Sequence, residues 1–286
     1  MSKPSALGNV IIEAARKAGR SLARDFGEVE YLQVAKKGPA DFVSNADHRA
    51  EDIIYDHLSK ARPGYGFVME ERGIVEGSDK TNRFIVDPLD GTLNFLHGQP
   101  HYAVSIALER EGKLFAGVVY DVAKNEIFWG ETGRGAWLGQ RKLRVAGRKK
   151  LEEAVIATGT PWIGKAEEYH SRFAHEISTM TRNVAGIRRY GSASLDLAWV
   201  AAGRFDGFWE SHLGPWDIAA GMVLVREAGG VTTELNGGNA LETGSVLASN
   251  ADLQKVNRKL NRINKRLKAL EDQKAAPTPP NQYVAS

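Results

Sequence analysis

The chain has 286 residues, 42% of them hydrophobic and 26% charged, with 38 basic against 35 acidic side chains and no cysteine. That is ample apolar sequence for a core of one sizeable domain or two intimate subdomains, while the lack of cysteine excludes disulfides, thiolate nucleophiles and cysteine-ligated zinc. No apolar run is long enough to cross a bilayer, the first residues lead into helical sequence instead of an apolar signal core, and a reducing, cytoplasmic home is the expectation.

In chain order, residues 10–26 read as an amphipathic helix with Ile11, Ala14, Ala15, Ala18 and Leu22 on one face. Residues 36–47 read as a loop feeding a second helix, which Asn45 or Asp47 would cap and Arg62-Pro63-Gly64 would end. Residues 84–86 form a short apolar run, best read as a buried strand, and residues 102–137 as a meander with turns at Glu111-Gly112-Lys113 and near Lys124-Asn125. Strand 154–157, helix 169–181, strand 187–190, helix 194–202, strand 205–210, helix 217–228 and strand 246–249 complete the series. Strands and helices mix without a regular βαβ rhythm, which favours a layered α+β fold over a doubly wound sheet.

The richest stretch is F-I-V-D-P-L-D-G-T-L-N-F, residues 84–95, in which a buried strand runs into Asp87 and Asp90. Buried carboxylates this close repel one another unless a divalent cation lies between them. Oxygen donors without Cys or His point to magnesium, with manganese as second choice. If Gly91 and Thr92 open a helix, its free N–H groups suit a phosphate. The two residues between the aspartates also separate this motif from the D-x-D-x-T nucleophile motif of haloacid-dehalogenase phosphatases. A second acidic signal is Asp217 in G-P-W-D-I-A-A-G, residues 214–221, where an aspartate serves either as helix cap or as ligand. Glu70-Glu71 after Phe67-Val68-Met69, and Asp47 with the lysines of K-K-G-P-A-D-F-V-S-N-A-D, are further acidic or basic candidates for the same cleft. His97 and His101 are four apart, but Pro100 between them breaks the helical face that a ligand pair needs.

Together these segments resemble the inositol monophosphatase family of magnesium-dependent, lithium-sensitive phosphatases. D-P-L-D-G-T-L-N-F and W-D-I-A-A-G are similar to its two signatures, and the likeness runs from about residue 10 to residue 250. The resemblance implies an αβαβα layered sandwich of the inositol monophosphatase and fructose-1,6-bisphosphatase type, commonly dimeric. It implies two or three Mg²⁺ ions per site, replaceable by Mn²⁺, held by Glu70, Asp87, the Leu89 carbonyl, Asp90 and Asp217. Catalytic roles would fall to Glu70, Thr92 and Asp47, with Thr92 and Asp47 orienting the attacking water. Asp90, Gly91, Thr92, Gly191, Ser192, Ala193, Glu210 and Asp217 would contact the substrate, a small phosphorylated polyol. Myo-inositol monophosphate is the leading candidate, and fructose 1,6-bisphosphate or another sugar or nucleotide phosphate the alternative.

A phosphatase domain is therefore expected over residues 1–250, with a metal-binding part at about 1–150 and a substrate-pocket part at about 151–250. Beyond it, Leu253, Val256, Leu260, Ile263, Leu267 and Leu270 recur at alternating steps of three and four, so 251–274 reads as a basic amphipathic helix. Residues 275–286, with three prolines, read as a disordered tail. The basic helix either docks its apolar seam on the body or on a twin, or binds a nucleic acid or an anionic surface; the resemblance, some of whose bacterial members act in transcription complexes, adds an RNA or transcription-complex partner. No aromatic side chain interleaves with the cations of this helix, so it offers no platform for base stacking.

Overall fold

The structure is a computed structural model and describes residues 3–26, 34–38, 41–235, 237–254, 262, 263 and 266, with backbone alone at 34–38 and 41–43. Helix α1 (Ala6–Phe26) buries the stripe Ile11, Ala14, Ala15, Ala18 and Leu22 that its spacing predicts. Strands β1 (Val34–Gly38) and β2 (Asp41–Ser44) pair as a hairpin where the sequence reads as a loop. Helix α2 (Asn45–Ala61) starts from Ser44, not from Asn45 or Asp47. The Ser44 hydroxyl accepts from the Ala46 amide, and Asp47 accepts from the Ser44 amide. This is the reciprocal arrangement of a capping box.

Strands β3 (Tyr65–Met69), β4 (Gly73–Val75), β5 (Asp79–Asp90), β6 (Ala103–Arg110), β7 (Lys113–Asp121), β8 (Glu126–Glu131), β9 (Gly135–Leu138) and β10 (Arg141–Lys142) form one sheet in the order β10-β9-β8-β7-β6-β5-β3-β4. The run from β5 to β10 is antiparallel throughout, and β3 pairs with β5 in parallel. The short helix α3 (Thr92–Leu96) lies between β5 and β6. A second, five-stranded sheet has the order β12-β11-β13-β15-β14. It comprises β11 (Val155–Thr158), β12 (Gly186–Arg188), β13 (Gly207–Glu210), β14 (Val231–Thr233) and β15 (Val246–Ser249), with α4 (Glu167–Thr181), α5 (Ala193–Ala201), α6 (Pro215–Glu227) and α7 (Ala240–Thr243) between them.

Side chains alternate across each strand, so each sheet serves two cores. Phe84, Val86, Val104 and Ile106 join the cluster under α1 and α2, while Ile85, Ala103, Ala107 and Phe128 face the opposite way, into the cluster of α5 and α6. In the second sheet Phe208, Val246 and Ala248 meet α5 and α6 from the far side, and Ile156, Trp209 and Leu247 turn outward to Met180 and Ile177 of α4. The outcome is the layered αβαβα sandwich that the sequence leads one to expect, with α5 and α6 as its shared middle. Helix α6 sits directly on β7: a Cβ added to Gly117 would come within 2.9 Å of the Ala220 Cα. The basic helix expected over 251–274 and the tail over 275–286 lie outside the described residues, apart from 251–254, 262, 263 and 266. Residues 262, 263 and 266 are helical, with Ile263 buried and Arg262 and Arg266 exposed.

Candidate active site

The site begins with an irregularity. Residues three apart on a regular strand point to opposite faces, yet Asp87 and Asp90 converge. Between Asp87, which pairs with Ser105, and Asp90, which pairs with Ala103, the register of β5 against β6 shifts by one residue. Pro88, which cannot donate to the ladder, sits inside this bulge, where proline is tolerated. The Leu89 amide donates to Asp87 Oδ1 at 2.9 Å and fixes that carboxylate within the turn. Gly91 then takes φ 91° as the N-cap of α3, a left-handed conformation open to glycine. A Cβ there would also press on the His101 carbonyl at 3.1 Å.

Asp217 arrives from the other half of the chain, on the first turn of α6. Its Oδ2 accepts from the Gly214 amide at 2.7 Å, so it caps the helix and still belongs to the cluster. Ser105, opposite Asp87 in the ladder, donates to the Trp216 carbonyl at 3.1 Å and anchors that turn to the sheet. Carboxylate oxygens of Asp87, Asp90 and Asp217 lie within 4.8 Å of one another. Glu70 stands at the end of β3, its amide bonded to the Val86 carbonyl at 3.2 Å, and its side chain shares a hydrogen bond with Asp87.

Burial, followed by the charges of Glu70, Asp90 and Asp217, pushes the Asp87 carboxyl well above the usual carboxylate range. Asp217 is raised likewise by burial and by Asp90 and Glu70. Asp90 is raised by burial despite hydrogen bonds from Ser192 Oγ at 2.6 Å and the Ser194 amide at 2.7 Å, both to Oδ2. Without a counter-ion these acids reduce their repulsion by holding protons. Hard oxygen donors in that state, with no nitrogen or sulfur among the described residues of the cluster, fit divalent cations of the magnesium type.

Beside the cluster, Thr92 Oγ1 lies 3.2 Å from Asp47 Oδ1 and 3.0 Å from the Leu89 carbonyl, so its one proton can serve either. Asp47 is fully buried, raised by desolvation and held at Oδ2 by the Ser44 amide and hydroxyl at 2.9 and 2.7 Å. The Lys36 and Lys37 side chains lie outside the described residues. On the opposite wall, Gly191, Ser192 and Ala193 lead into α5, and Ser192 grips Asp90. Glu210, at the end of β13, is pushed up to about 8 by burial and by the charge of Asp90, with Arg189 opposing. Every expected site residue thus falls in one locality. A cavity of about 590 Å³ on another flank of α6, lined by Val68, Ile85, Met222, Val223, Arg226 and Leu241, contains none of them.

Three participants escape the sequence reading. Asn94 Nδ2 donates to the carbonyls of His101 at 2.8 Å and Tyr190 at 2.7 Å, tying the Asp87–Asp90 turn to the Gly191 segment. Ser194 supplies the amide that holds Asp90. Glu51, buried on α2, accepts from the Glu71 amide at 2.9 Å. Only Asn94 had a visible signal, its place inside the D-P-L-D-G-T-L-N-F stretch.

Known proteins resemble the chain over most of its length. The model of the inositol monophosphatase family matches residues 3–269. The chain is 58% identical to an inositol-1-monophosphatase of Mesorhizobium japonicum over 88% of its own length and 94% of that protein's. It is 42% identical to the Nus factor SuhB of Escherichia coli K12, covering 87% of this chain and 92% of that one. The crystal structure of the extragenic suppressor protein suhB from Bartonella henselae superposes with a TM-score of 0.86 at 52% identity, over 92% of this chain and 99% of the other.

Proposed function

Because the chain belongs to the inositol monophosphatase family, we propose that it hydrolyses myo-inositol monophosphate to inositol and phosphate with Mg²⁺ as its cation. The observation that carries this reading is the convergence of the buried Asp87 and Asp90 with the half-buried Asp217, from two distant segments of the chain. Glu70, Asp87, the Leu89 carbonyl, Asp90 and Asp217 would hold the cations, Mn²⁺ serving as a substitute. Divalent ions held there would supply Lewis acidity, lowering the pKa of water so that it can lose a proton and act as nucleophile, and would screen the charge of the phosphate.

The protein's own groups do the positioning. Thr92, donating to Asp47, turns its hydroxyl lone pairs toward the attacking water, and Asp47 holds the Thr92 proton. Gly91 and Thr92 present the first N–H groups of α3 to the phosphate. Ser192 and Ser194 fix Asp90, while Gly191, Ala193 and Glu210 face the polyol. The metal-binding part is assigned to about residues 1–150 and the substrate part to about 151–250, with Asp217 crossing between them. A lithium-sensitive, cytoplasmic homodimer completes the proposal, and among the described residues no helix is long and apolar enough to cross a membrane.

The deciding experiment is phosphate release from inositol 1-phosphate, fructose 1,6-bisphosphate and 3′-phosphoadenosine 5′-phosphate, with and without Mg²⁺ and Li⁺. Mg²⁺-dependent release that favours the inositol ester supports the reading; preference for the bisphosphate replaces the substrate and leaves the site. The likeness to a Nus factor favours a second reading, in which the chain also joins a transcription complex. Salt-dependent RNA binding that disappears on deletion after Asp252 supports it, and no binding at low salt removes it.

A further inference from the structure

Glu51 is a buried carboxylate, 2% exposed, to which the proposed chemistry gives no part. Burying a charge is costly, and the nearest cation among the described residues compensates it poorly: Arg72 Nε stands 3.7 Å away on a side chain 37% exposed. The close contact is with the backbone, since the Glu71 amide donates to Glu51 Oε2 at 2.9 Å. Residues 70 and 71 are therefore held at successive amides, Glu70 by the Val86 carbonyl of β5 and Glu71 by the Glu51 carboxylate of α2.

The next residue strengthens the attachment. Arg72 pairs with Asp52 on α2, and its guanidinium lies 4.4 Å from the centre of the Tyr55 ring. Tyr55 in turn packs on Phe67 of β3, the ring centres 5.0 Å apart. One helix face thus grips the turn that carries Glu70. Asp47 lies four residues before Glu51, so both carboxylates share that face, about 6 Å apart along the helix axis. Asp47 reaches Thr92 and Glu51 reaches the Glu70–Glu71 turn, so α2 sets the distance between the two.

We propose that Glu51 is a positioning residue that fixes Glu70 against Asp87 and thereby sets the affinity of the site for its divalent cation. The proposal rests on Glu70 being a cation ligand. Outer partners that orient ligands change metal affinity by about 10–100-fold when removed. Glu51→Asp keeps the charge but withdraws the acceptor from the Glu71 amide; Glu51→Gln keeps the acceptor and removes the charge.

Calorimetric titration of the full chain with Mg²⁺ separates the roles. Glu51→Asp raises the dissociation constant on the order of 10-fold, with kcat restored at saturating Mg²⁺, and Glu51→Gln stays within about threefold of wild type. Hydrogen exchange of the cation-free protein supplies a readout independent of activity: the Glu71 amide exchanges faster in Glu51→Asp and at the wild-type rate in Glu51→Gln. An unchanged dissociation constant in Glu51→Asp overturns the proposal, as does equal weakening by both substitutions. An unprotected Glu71 amide in wild-type protein overturns it without any variant. Wild-type protein that takes up no Mg²⁺ overturns the cation reading and this proposal together, whereas wild-type binding unmoved by Glu51→Asp overturns the proposal alone.

Discussion

Asp90 is held at one oxygen by Ser192 and Ser194, and it faces Asp87 and Asp217. An amide of the same shape keeps the acceptor for Ser192 and Ser194 but gives up the charge that a cation needs. Asp90→Asn is therefore expected to lower turnover by orders of magnitude. The same change relieves crowding among raised carboxyls, so the cation-free variant should melt no lower than wild type. A near-normal kcat, or collapse of the fold, contradicts the assignment. Thr92 makes a narrower test, because only its hydroxyl is invoked. Thr92→Val should lower kcat by about 100-fold or more at saturating Mg²⁺, in line with the loss of one positioned proton-handling group, and Thr92→Ser should restore most of it. A Thr92→Val enzyme with a raised KM and unchanged kcat would place Thr92 in binding alone.

At the scale of elements, the site is a meeting of a bulged strand, a short helix and the first turn of α6. Asn94 is the rivet between the first pair and the Gly191 segment, since its amide serves the nearby His101 carbonyl together with those of the distant Tyr190 and Gly191. Asn94→Ala leaves these carbonyls without that donor, at a cost of about 1–3 kcal/mol by chemical denaturation, with a rise in KM as the Gly191 wall loosens. The acidic turn itself was legible in the sequence, because a strand, two aspartates, glycine and threonine are contiguous there. Asp217 was legible as a helix start through Pro215, but its place in the cluster followed only from the resemblance, because an aspartate there is cap chemistry as well. The bulge was not legible, since a one-residue shift against β6 leaves no trace in the composition of β5. Ser194 and the Tyr190 contact of Asn94 were hidden for a related reason: each spans about a hundred residues, and local periodicity carries no record of such pairing. The cap of α2 was placed one or three residues too late, at Asn45 or Asp47, because Ser44, Asn45 and Asp47 all have cap chemistry, and only backbone geometry distinguishes the cap from its N3 partner. The hairpin of β1 and β2 was read as a loop, as its Gly38-Pro39 break suggests on sequence alone.

For the whole molecule, the acids at the centre of the sandwich make stability depend on pH in a defined direction. Glu210 stands at about 8, raised from 4.5 by burial and by Asp90, and Asp87, Asp217 and Asp196, a buried residue of α5, are raised well above their ordinary value, burial being the largest cause for each. Between the unfolded and folded pKa values the native state binds more protons than the unfolded chain, so unfolding becomes easier as pH rises. For Glu210 the stabilising effect of the proton is complete below about pH 4.5 and lost on rising through about pH 8. The cation-free protein, measured by calorimetry in chelator, is therefore expected to melt at progressively lower temperature over that window. Mg²⁺ supplies the positive charge that the protons otherwise provide, and it should both raise the melting temperature near pH 8 and flatten its slope. Glu210→Gln, neutral at every pH, should remove part of the slope in chelator. A melting temperature independent of pH in chelator, or a slope that Mg²⁺ leaves unchanged, would show that these carboxyls are not the groups whose charge the cation offsets.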